Sequence, residues 1–392
     1  MPETTEKVLI VHNYYQIPGG EDTVVENEKR LLEEHGHEVV LYTRHNSELK
    51  TMSKVQKLLL PFSTIFNIRT YREVKRLITD EKIDVLHVHN TLNLISPSVY
   101  YAGFSKKIPV IQTVHNFRLL CPGATFFRDS HVCEDCLEKG LLCAVKHKCY
   151  RDSRIQTLAC VISTLIHRAL GTYGKLNYIC LTEFNKEKLL HLKQIKKEKV
   201  FVKPNFVQQE KEILPYAERK KQFVFAGRLD ELKGIRFLLE TWQEYQPEDY
   251  RLIIFGKGPL EEWCHEYVKT YKLQNIELRG FVKNQTVKEI IGESKAMILP
   301  TRWYEGFPMT IVESYTMGTP VIGTDLGNTG NLIEEGKSGW KFSDNSKIEL
   351  HRAFENAIKE ENGLDENVIH KYSAEKNYEQ LRKIYETCCD YH

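Results

Sequence analysis

Two glutamates frame the segment TRWYEGFPMTIVE, residues 301–313. Glu305 directly precedes Gly306-Phe307-Pro308, and Glu313 follows eight residues later. Because Pro308 suits the first turn of a helix, we expect Glu305 to lie beside the backbone N–H groups of a helix start, a place that favours an anionic ligand. A carboxylate there would compete with that anion unless it binds another part of the same ligand. The alternative is that Glu305 only complements the helix dipole.

Basic residues and glycines form a second group of candidates. Arg228 and Lys233 lie five residues apart across a turn that ends in Gly234. They can clamp a diphosphate, the arginine as a bidentate donor and the lysine as a point charge, although solvated surface charges are commoner. Gly19-Gly20 would let backbone N–H groups approach phosphate oxygens, but many turns carry such a pair without a function.

Glu313 can accept the two hydroxyls of a ribose, as acidic residues do in dinucleotide folds. A dinucleotide oxidoreductase is nevertheless poorly supported, because no G-x-G-x-x-G follows the first apolar run. The sequence also has no Asp-x-Asp pair, the usual anchor for a nucleotide bound through Mg²⁺ or Mn²⁺. We therefore expect Arg, Lys and helix dipoles to meet the diphosphate charge.

Apolar, β-branched runs alternate with helical patterns along the whole chain, which predicts βαβ units and parallel sheets. Two such series, separated by the polar segment 208–222, predict an α/β protein of two doubly wound, Rossmann-like domains. Ligands bind at the carboxyl ends of parallel strands, where the candidate residues fall, so we expect the two sheets to face each other across a central cleft. The amphipathic tail 372–388 predicts a C-terminal helix.

The bulk composition is that of an ordinary globular protein. The 392 residues carry 55 basic and 53 acidic side chains and ten cysteines, with a mean hydropathy of −0.42. This balance does not favour nucleic acid as a partner. The N-terminus lacks the charge order of a secretory signal, and no apolar run approaches the ~20 residues of a membrane helix. We expect a cytoplasmic enzyme.

The motifs GRLDELKG (227–234), FGKGP (255–259), RGFV (279–282) and EGFPMTIVE (305–313) together resemble the C-terminal domain of the retaining family-4 glycosyltransferases, which have the GT-B fold. Glu305 and Glu313 match the E-x7-E motif of that family. PGGEDTVVENE (18–28) and TVHN (113–116) agree with its N-terminal domain. The resemblance covers essentially the whole chain.

The resemblance implies transfer of a sugar, with retention, from a UDP- or dTDP-sugar to a sugar acceptor, and it implies no cofactor for catalysis. Arg228 and Lys233 would bind the diphosphate, Glu313 the ribose, Glu305 the sugar hydroxyls, and His115 the reacting face. The remaining residues assigned to donor binding are Gly19, Gly20, Gly227, Gly256, Gly306 and Phe307. Asn116 stands where the family often has an acidic residue.

The predicted organisation follows from the same resemblance. Residues 1–207 would form the acceptor-binding domain, with a cysteine-rich insertion at 117–153. Residues 208–371 would form the nucleotide-sugar domain, and 372–392 a helix that packs back on the N-terminal domain. No protein nucleophile stands out, and the resemblance implies transfer on one face, with the leaving phosphate taking the proton of the acceptor.

Three alternatives remain open. A glycoside hydrolase also uses two carboxylates, but Glu305 and Glu313 are separated by about two helical turns of ~5.4 Å each, too far for that reaction. A catalytically silent sugar-nucleotide-binding protein is disfavoured by the intact set Arg228, Lys233, Glu305 and His115. A nucleic-acid-binding module built on the cysteines is disfavoured by the near-zero net charge.

Two further features predict partners. In 49–76, basic residues flank an apolar patch, a pattern of interfacial binding to anionic lipid; the alternative is that the apolar residues pack on the sheet. Peripheral attachment to the inner membrane face and a polyprenyl-diphosphate-linked acceptor are the corresponding expectations.

The second feature is the cysteine cluster at 121–149. Cys133 and Cys136 form a C-x2-C knuckle, and Cys121 and Cys149 bracket the loop, which predicts one structural zinc ion. We expect Cys143 to be a small, buried hydrophobic residue. Free thiols in a lid over the acceptor, or a disulfide, are the alternatives.

Overall fold

The structure, a computed structural model, describes residues 5–16, 19–208, 213–245, 247 and 249–390. Residues 209–212 of the predicted polar segment lie outside this range. The chain divides into two compact units: one comprises Met1–Phe126, Cys133–Pro204 and Asn377–His392, and the other comprises Phe127–Val132 and Asn205–Lys376. Within the described residues, no helix has both the length and the apolar character that crossing a membrane demands.

The first unit is built on a six-stranded parallel sheet in the order β2-β1-β3-β4-β7-β8. Its elements, with the intervening hairpin β5–β6, are β1 Val8–Tyr14, α1 Gly20–Glu34, β2 Val39–His45, α2 Glu48–Thr51, α3 Lys54–Ile65, α4 Ile68–Asp80, β3 Val85–Val88, α5 Ser98–Lys106, β4 Val110–Val114, β5 Phe127–Arg128, β6 His131–Val132, α6 Asp135–Glu138, α7 Leu142–Lys146, α8 Arg154–Ala169, α9 Thr172–Lys175, β7 Asn177–Cys180, α10 Glu183–Leu189 and β8 Val200–Val202.

The second unit carries another six-stranded parallel sheet, in the order β11-β10-β9-β12-β13-β14. Its elements are β9 Lys220–Ala226, α11 Ile235–Glu244, β10 Arg251–Phe255, α12 Glu261–Thr270, β11 Ile276–Gly280, α13 Asn284–Gly292, β12 Ser294–Leu299, α14 Met309–Thr316, β13 Val321–Thr324, α15 Gly327–Leu332, β14 Gly339–Phe342, α16 Lys347–Lys359 and α17 Glu366–Lys371; the last helix of the chain is α18 Ala374–Asp390.

Strand β9 shows why the apolar runs of this sequence form central strands. Phe223 and Phe225 pack on one face of the sheet with Trp242, while Val224 packs on the other face with Tyr315. A strand covered on both faces must be apolar at every position, which produces a continuous run instead of an alternation. The predicted fold class, two doubly wound Rossmann-like α/β domains, is confirmed.

Helix α18 packs on the first unit through polar contacts. The Asn377 side chain accepts from Lys203 Nζ at 3.0 Å, and the hydroxyl of Tyr385 lies 2.7 Å from His87 Nδ1. Tyr385 is fully buried. The last helix is therefore part of the interior of the first unit.

Some predicted bounds differ from the structure. The helical pattern of residues 183–194 forms a helix only as far as Leu189, and β14 was not predicted. Part of the polar segment 208–222 is not a solvated linker: β9 begins at Lys220, and Arg219 is buried, donating to Thr319 Oγ1 at 2.6 Å and to the Met317 carbonyl at 2.9 Å. A polar sequence conceals a buried residue when carbonyl and hydroxyl partners satisfy the guanidinium.

Candidate active site

An ion pair joins two loops at the carboxyl edge of the second sheet. Lys233 follows β9, Glu305 follows β12, and these strands are parallel neighbours. Lys233 Nζ lies 2.6 Å from Glu305 Oε1, and the glutamate is only 6% exposed. The same oxygen also accepts from Thr301 Oγ1 and from Trp303 Nε1, each at 3.0 Å. The structure thus brings together two of the predicted catalytic residues.

Gly234 allows the two loops to meet. Its φ is +70°, and a Cβ atom at this position would lie 1.9 Å from the Pro300 carbonyl oxygen. Only glycine tolerates both the left-handed backbone and this approach. The loop carrying Lys233 can therefore lie directly against the segment that leads to Glu305.

The predicted donor-binding glycines Gly227 and Gly256 also lie at this edge, after β9 and β10. Gly256 has φ +132°, and a Cβ atom there would lie 1.8 Å from the Gly227 carbonyl oxygen. Backbone packing is by itself a sufficient reason for Gly256. Gly306 and Phe307 are half-buried and lie between Glu305 and the start of α14.

Other loop residues hold the backbone around Glu305 and Lys233. Asn328 Nδ2 donates to the carbonyl oxygens of Glu305 and Gly306 at 2.6 and 2.7 Å. Asp230 Oδ1 accepts from the Lys233 amide at 2.9 Å. The sequence analysis missed both residues; asparagine and aspartate in short loops after strands are a signal for this role.

Arg228 and Glu313 lie near the pair without joining it. The Arg228 side chain is 66% exposed and lies 3.2 Å from Asp230. Glu313, on α14, accepts from Asn284 Nδ2 at 2.9 Å, and burial raises the pKa of its carboxyl. The carboxyls of Glu305 and Glu313 thus have separate partners. A pair acting on one bond, as in a glycoside hydrolase, is not evident.

In the first unit, Gly19 is the N-cap of α1 and Gly20 its first residue. Asp22 closes the helix start, since its Oδ2 accepts from the Gly19 amide at 3.0 Å and its Oδ1 lies 2.8 Å from His12 Nε2. Leaving out its two chain neighbours, no atom of the described residues lies within 4 Å of a Cβ built on Gly19. The turn therefore presents open space to a ligand.

His115 follows β4 and ends a chain of buried polar groups. Its Nε2 lies 2.9 Å from His89 Nδ1, and His89 Nε2 faces Glu28 Oε1 at 3.2 Å. Glu28 also pairs with Lys203 at 3.0 Å. Burial lowers the pKa of His89 to about 4 and the pKa of His115 well below its usual value, so both rings are neutral at pH 7.

The carboxylate of Glu28 determines the tautomers of this chain. Lys203 holds the pKa of Glu28 well below its usual value although burial opposes this. The 3.2 Å approach of His89 Nε2 to Glu28 Oε1 lacks hydrogen-bond geometry, but the carboxylate charge favours the proton of the neutral ring on that nitrogen. With this tautomer, His89 Nδ1 accepts from His115 Nε2. His115 is then left with a lone pair on Nδ1. This nitrogen can accept a hydrogen bond from a ligand.

In the described part of the chain, one set of three potential metal ligands has its ligand atoms within 4.8 Å of one another. This set is Glu28, His87 and His89. Lys203, 3.0 Å from Glu28, already supplies the compensating positive charge. A cation at this place would be repelled at close range. We therefore interpret the cluster as a hydrogen-bonding network.

The cysteine-rich insertion also has a small apolar core. Leu141 and Ala144 form a small core with Val161 of α8, against which Cys136 and Cys149 pack. It therefore has an apolar reason for its order, which the sequence analysis did not expect. A hydrogen bond from Cys136 lowers the pKa of Cys121 to about 6, against burial, and backbone hydrogen bonds assist.

The thiols only partly follow the predicted metal set. Cys136 forms a hydrogen bond with Cys121, and Cys136 and Cys149 pack on the same small core. Cys143 is half-buried, so it is not the buried hydrophobe that we expected. Within the described residues, no three of these sulfurs lie within 4.8 Å of one another.

The fold and the ion pair at the sheet edge define a class, the GT-B glycosyltransferases, and two family models agree. Residues 206–377 match the family described as Glycosyl transferases group 1, and residues 18–133 match Glycosyltransferase Family 4. The chain belongs to the family-4 type of glycosyltransferase.

The chain is similar to glycosyltransferases of bacteria and archaea. It is 29% identical over 132 residues to the putative colanic acid biosynthesis glycosyltransferase WcaL of Salmonella typhimurium, a match that covers 32% of this chain and 32% of that protein. It is 25% identical to the uncharacterized glycosyltransferase MJ1178 of Methanocaldococcus jannaschii, over 98% of this chain and 99% of that protein.

Solved structures share the fold. The lipopolysaccharide outer core galactosyltransferase WaaB superposes with a TM-score of 0.68 at 15% identity, covering 97% of this chain and 99% of its own. Anabaena HepE, solved with UDP and glucose, superposes with a TM-score of 0.64 at 14% identity, covering 97% of this chain and 100% of its own.

Proposed function

We propose that the protein transfers a hexosyl or deoxyhexosyl group, with retained anomeric configuration, from a UDP- or dTDP-sugar to a sugar acceptor. The observation that carries the proposal is the Lys233–Glu305 pair at 2.6 Å on the carboxyl edge of the second sheet, with the exposed Arg228 on the same loop. Two cations and a carboxylate at one strand edge suit a ligand that carries both a diphosphate and hydroxyl groups.

Each residue has a distinct role in this reaction. Arg228 and Lys233 stabilise the negative charge that grows on the departing diphosphate, which is the main contribution of the protein. Glu305, oriented by Lys233, Thr301 and Trp303, accepts from sugar hydroxyls. Glu313 accepts from the ribose, and His115 accepts from a hydroxyl near the reacting face. Transfer proceeds on one face, without a metal ion and without a protein nucleophile.

The acceptor that we propose is a growing cell-surface polysaccharide linked to a polyprenyl diphosphate. The similarity to WcaL, which is described as a colanic acid biosynthesis enzyme, supports a role in bacterial polysaccharide assembly. The complex of HepE with UDP supports a uridine nucleotide as the carrier.

An exposed apolar surface on the first unit suits binding to the inner face of the membrane. Helices α3 and α8 pack side by side, and their outer large side chains are exposed: Val55, Leu58, Leu59, Phe62, Ile155, Leu158, Ile162, Leu165 and Ile166. Lys54, Lys57, Arg151 and Arg154 lie on or next to these helices. An apolar surface edged by cations fits an anionic lipid surface.

Co-sedimentation with anionic vesicles tests this attachment. We expect the protein to bind at low salt and the variant Leu58→Ser/Phe62→Ser to bind weakly. Ile348→Ser, which removes an equally exposed side chain from α16 (67% exposed), should bind as the wild type does. Equal binding by all three proteins would refute a role for α3.

Donor hydrolysis with a panel of UDP- and dTDP-sugars tests the central proposal. One nucleotide sugar should be hydrolysed in preference to the others, and simple aryl glycosides should not be. Turnover of aryl glycosides would favour a glycoside hydrolase, and binding of a nucleotide sugar without hydrolysis or transfer to any acceptor would favour a catalytically silent protein.

A structural zinc ion in the insertion remains a separate proposal. Cys121, Cys136 and Cys149, with Cys143 or Cys133, would supply four thiolates. The ion would stabilise the insertion and take no part in the transfer.

A further inference from the structure

Three cavities of the first unit share lining residues, and we call the three together the track. The inner cavity, of about 90 Å³, is lined by His89 and His115. It shares Asn90, Leu92 and Arg118 with a second cavity of about 230 Å³. The second shares Asn93, Tyr150 and Arg151 with a third, of about 330 Å³. Their combined volume falls in the range of ~300–1,000 Å³ that is usual for ligand sites.

The chemical character of the track changes along its length. The inner end carries His115, whose Nδ1 is left as an acceptor. The middle cavity carries two arginines, while its other lining residues are polar or tyrosine except for Leu92. The outer cavity lies between α3 and α8. Half of its lining residues are apolar, among them Leu60, Pro61 and Ile155, and the others include Lys57 and Arg151. It adjoins the exposed apolar surface of these helices.

The two arginines of the middle cavity are held by one aromatic ring. The guanidinium carbons of Arg118 and Arg151 lie 5.2 and 5.4 Å from the centre of the Tyr150 ring. The hydroxyl of Tyr150 donates to Asn93 Oδ1 at 2.9 Å, which fixes the ring. Cation–π contacts orient a guanidinium while leaving its edge N–H groups able to donate.

Among the described residues, no ion pair neutralises the charge of these two arginines. Within the described ranges, neither Arg118 nor Arg151 forms an ion pair, and Arg118 Nη1 donates to the Pro122 carbonyl at 3.1 Å. Arg118 interacts electrostatically with Glu21, but burial raises the pKa of this carboxyl to about 8, so it is largely protonated at pH 7. The middle cavity therefore keeps a net positive charge.

We propose that Arg118, Arg151 and Tyr150 form the subsite for the diphosphate of a lipid-linked acceptor. The acceptor sugar would extend toward His115, and the lipid chain would leave between α3 and α8. This inference rests on the proposed function and adds the place at which the acceptor is held. The cavity beside His115 suits the sugar, the cavity with both arginines suits the diphosphate, and the partly apolar cavity between α3 and α8 suits the start of the lipid. The diphosphate of the donor is met in the second unit by Arg228 and Lys233.

Paired acceptors test the subsite. One acceptor carries its sugar on a short prenyl diphosphate, and the other carries the same sugar on the same chain through a neutral ether. For Arg118→Gln and Arg151→Gln, we expect KM for the diphosphate acceptor to rise about tenfold or more, the scale of a lost charge-assisted hydrogen bond. KM for the ether acceptor and donor hydrolysis should change little. Arg30→Gln removes an exposed charge from α1, outside all three cavities and away from α3 and α8, and should behave as the wild type.

Direct binding separates the possible sources of the anion. Farnesyl diphosphate should bind more tightly than farnesol and than inorganic diphosphate, and Arg151→Gln should abolish the advantage over farnesol. Because Arg151 is exposed, this variant should fold even if Arg118→Gln does not. Equal losses on both acceptors, or an equal effect of Arg30→Gln, would overturn the subsite. Absence of donor hydrolysis in the wild type would instead overturn the proposed function.

Discussion

The Lys233–Glu305 pair allows a structural role to be separated from a catalytic one. Its matched control is the Lys220–Glu293 pair of the same unit, which has the same separation of 2.6 Å. The two pairs differ in burial: the side chains are 23% and 8% exposed in the first pair but 54% and 37% exposed in the second. Distance is thus held constant while solvent screening changes.

The expected stability changes follow from that difference. Lys233→Met leaves the Glu305 carboxylate buried without its cation, which should lower the free energy of unfolding by ~3 kcal/mol or more. Lys220→Met removes an exposed partner and should cost less than ~1 kcal/mol. In the double variant Lys233→Met/Glu305→Gln, the unpaired charge is gone, so most of the lost stability should return. Urea unfolding measures all four proteins.

The transfer rate should follow a different pattern. Lys233→Met and the double variant should both lose a factor of ~100 or more in transfer, the scale of a lost transition-state contact, whereas Lys220→Met should keep wild-type activity. A double variant that regains activity together with stability would show that the pair is only structural. Equal stability losses for Lys233→Met and Lys220→Met would refute the reasoning from burial.

Three further outcomes are expected. Gly234→Ala should lower the free energy of unfolding by at least ~3 kcal/mol and Gly280→Ala by only ~1 kcal/mol. Both glycines have positive φ, but only at Gly234 would the new Cβ atom meet a carbonyl oxygen, at 1.9 Å. Equal losses by calorimetry would contradict this explanation. The pKa of His89 falls from 6.5 to about 4 on folding, so protonation favours the unfolded chain. The contribution of the neutral His89 ring to stability is complete above pH 6.5, and below it the free energy of unfolding should fall by up to ~1.4 kcal/mol per pH unit. A pH series in which His89→Gln has the same slope as the wild type would refute this. Elemental analysis should find about one zinc ion per chain, which Cys136→Ser removes and Cys264→Ser does not, while Cys133→Ser and Cys143→Ser decide the fourth ligand; a metal-free, fully active protein would exclude the ion.

Features with a strong local signal were predictable from the sequence. The central strands were found because a strand buried on both faces is an unbroken apolar run, as in β9. The motif residues Lys233 and Glu305 could be placed at strand ends, and parallel neighbours bring such ends together. Strand β14 was missed because it is only four residues long, Gly339–Phe342, and because Lys341 interrupts its apolar run.

Features that depend on distant partners were not predictable. Nothing near Arg219 in the sequence indicates that Thr319 and the Met317 carbonyl will satisfy its guanidinium. Glu28 lies inside a helix that reads as amphipathic, and its partners Lys203, His87 and His89 come from three other parts of the chain. Spacing cannot show such contacts, because the sheet order creates them.

The buried network also explains why the last helix belongs to the site of the first unit. Lys203 Nζ bonds both to Glu28 Oε2 and to Asn377 Oδ1, each at 3.0 Å, so α18 holds the cation that keeps the Glu28 carboxylate ionised. That carboxylate determines the tautomer of His89 and, through it, the free nitrogen of His115. A lysine buried to this degree is costly unless it is fully bonded, and Asn377 supplies a bond that no residue of the sheet supplies. The C-terminal helix therefore contributes to the state of a residue that we place at the reacting sugar, although it contributes no side chain to the cavity track.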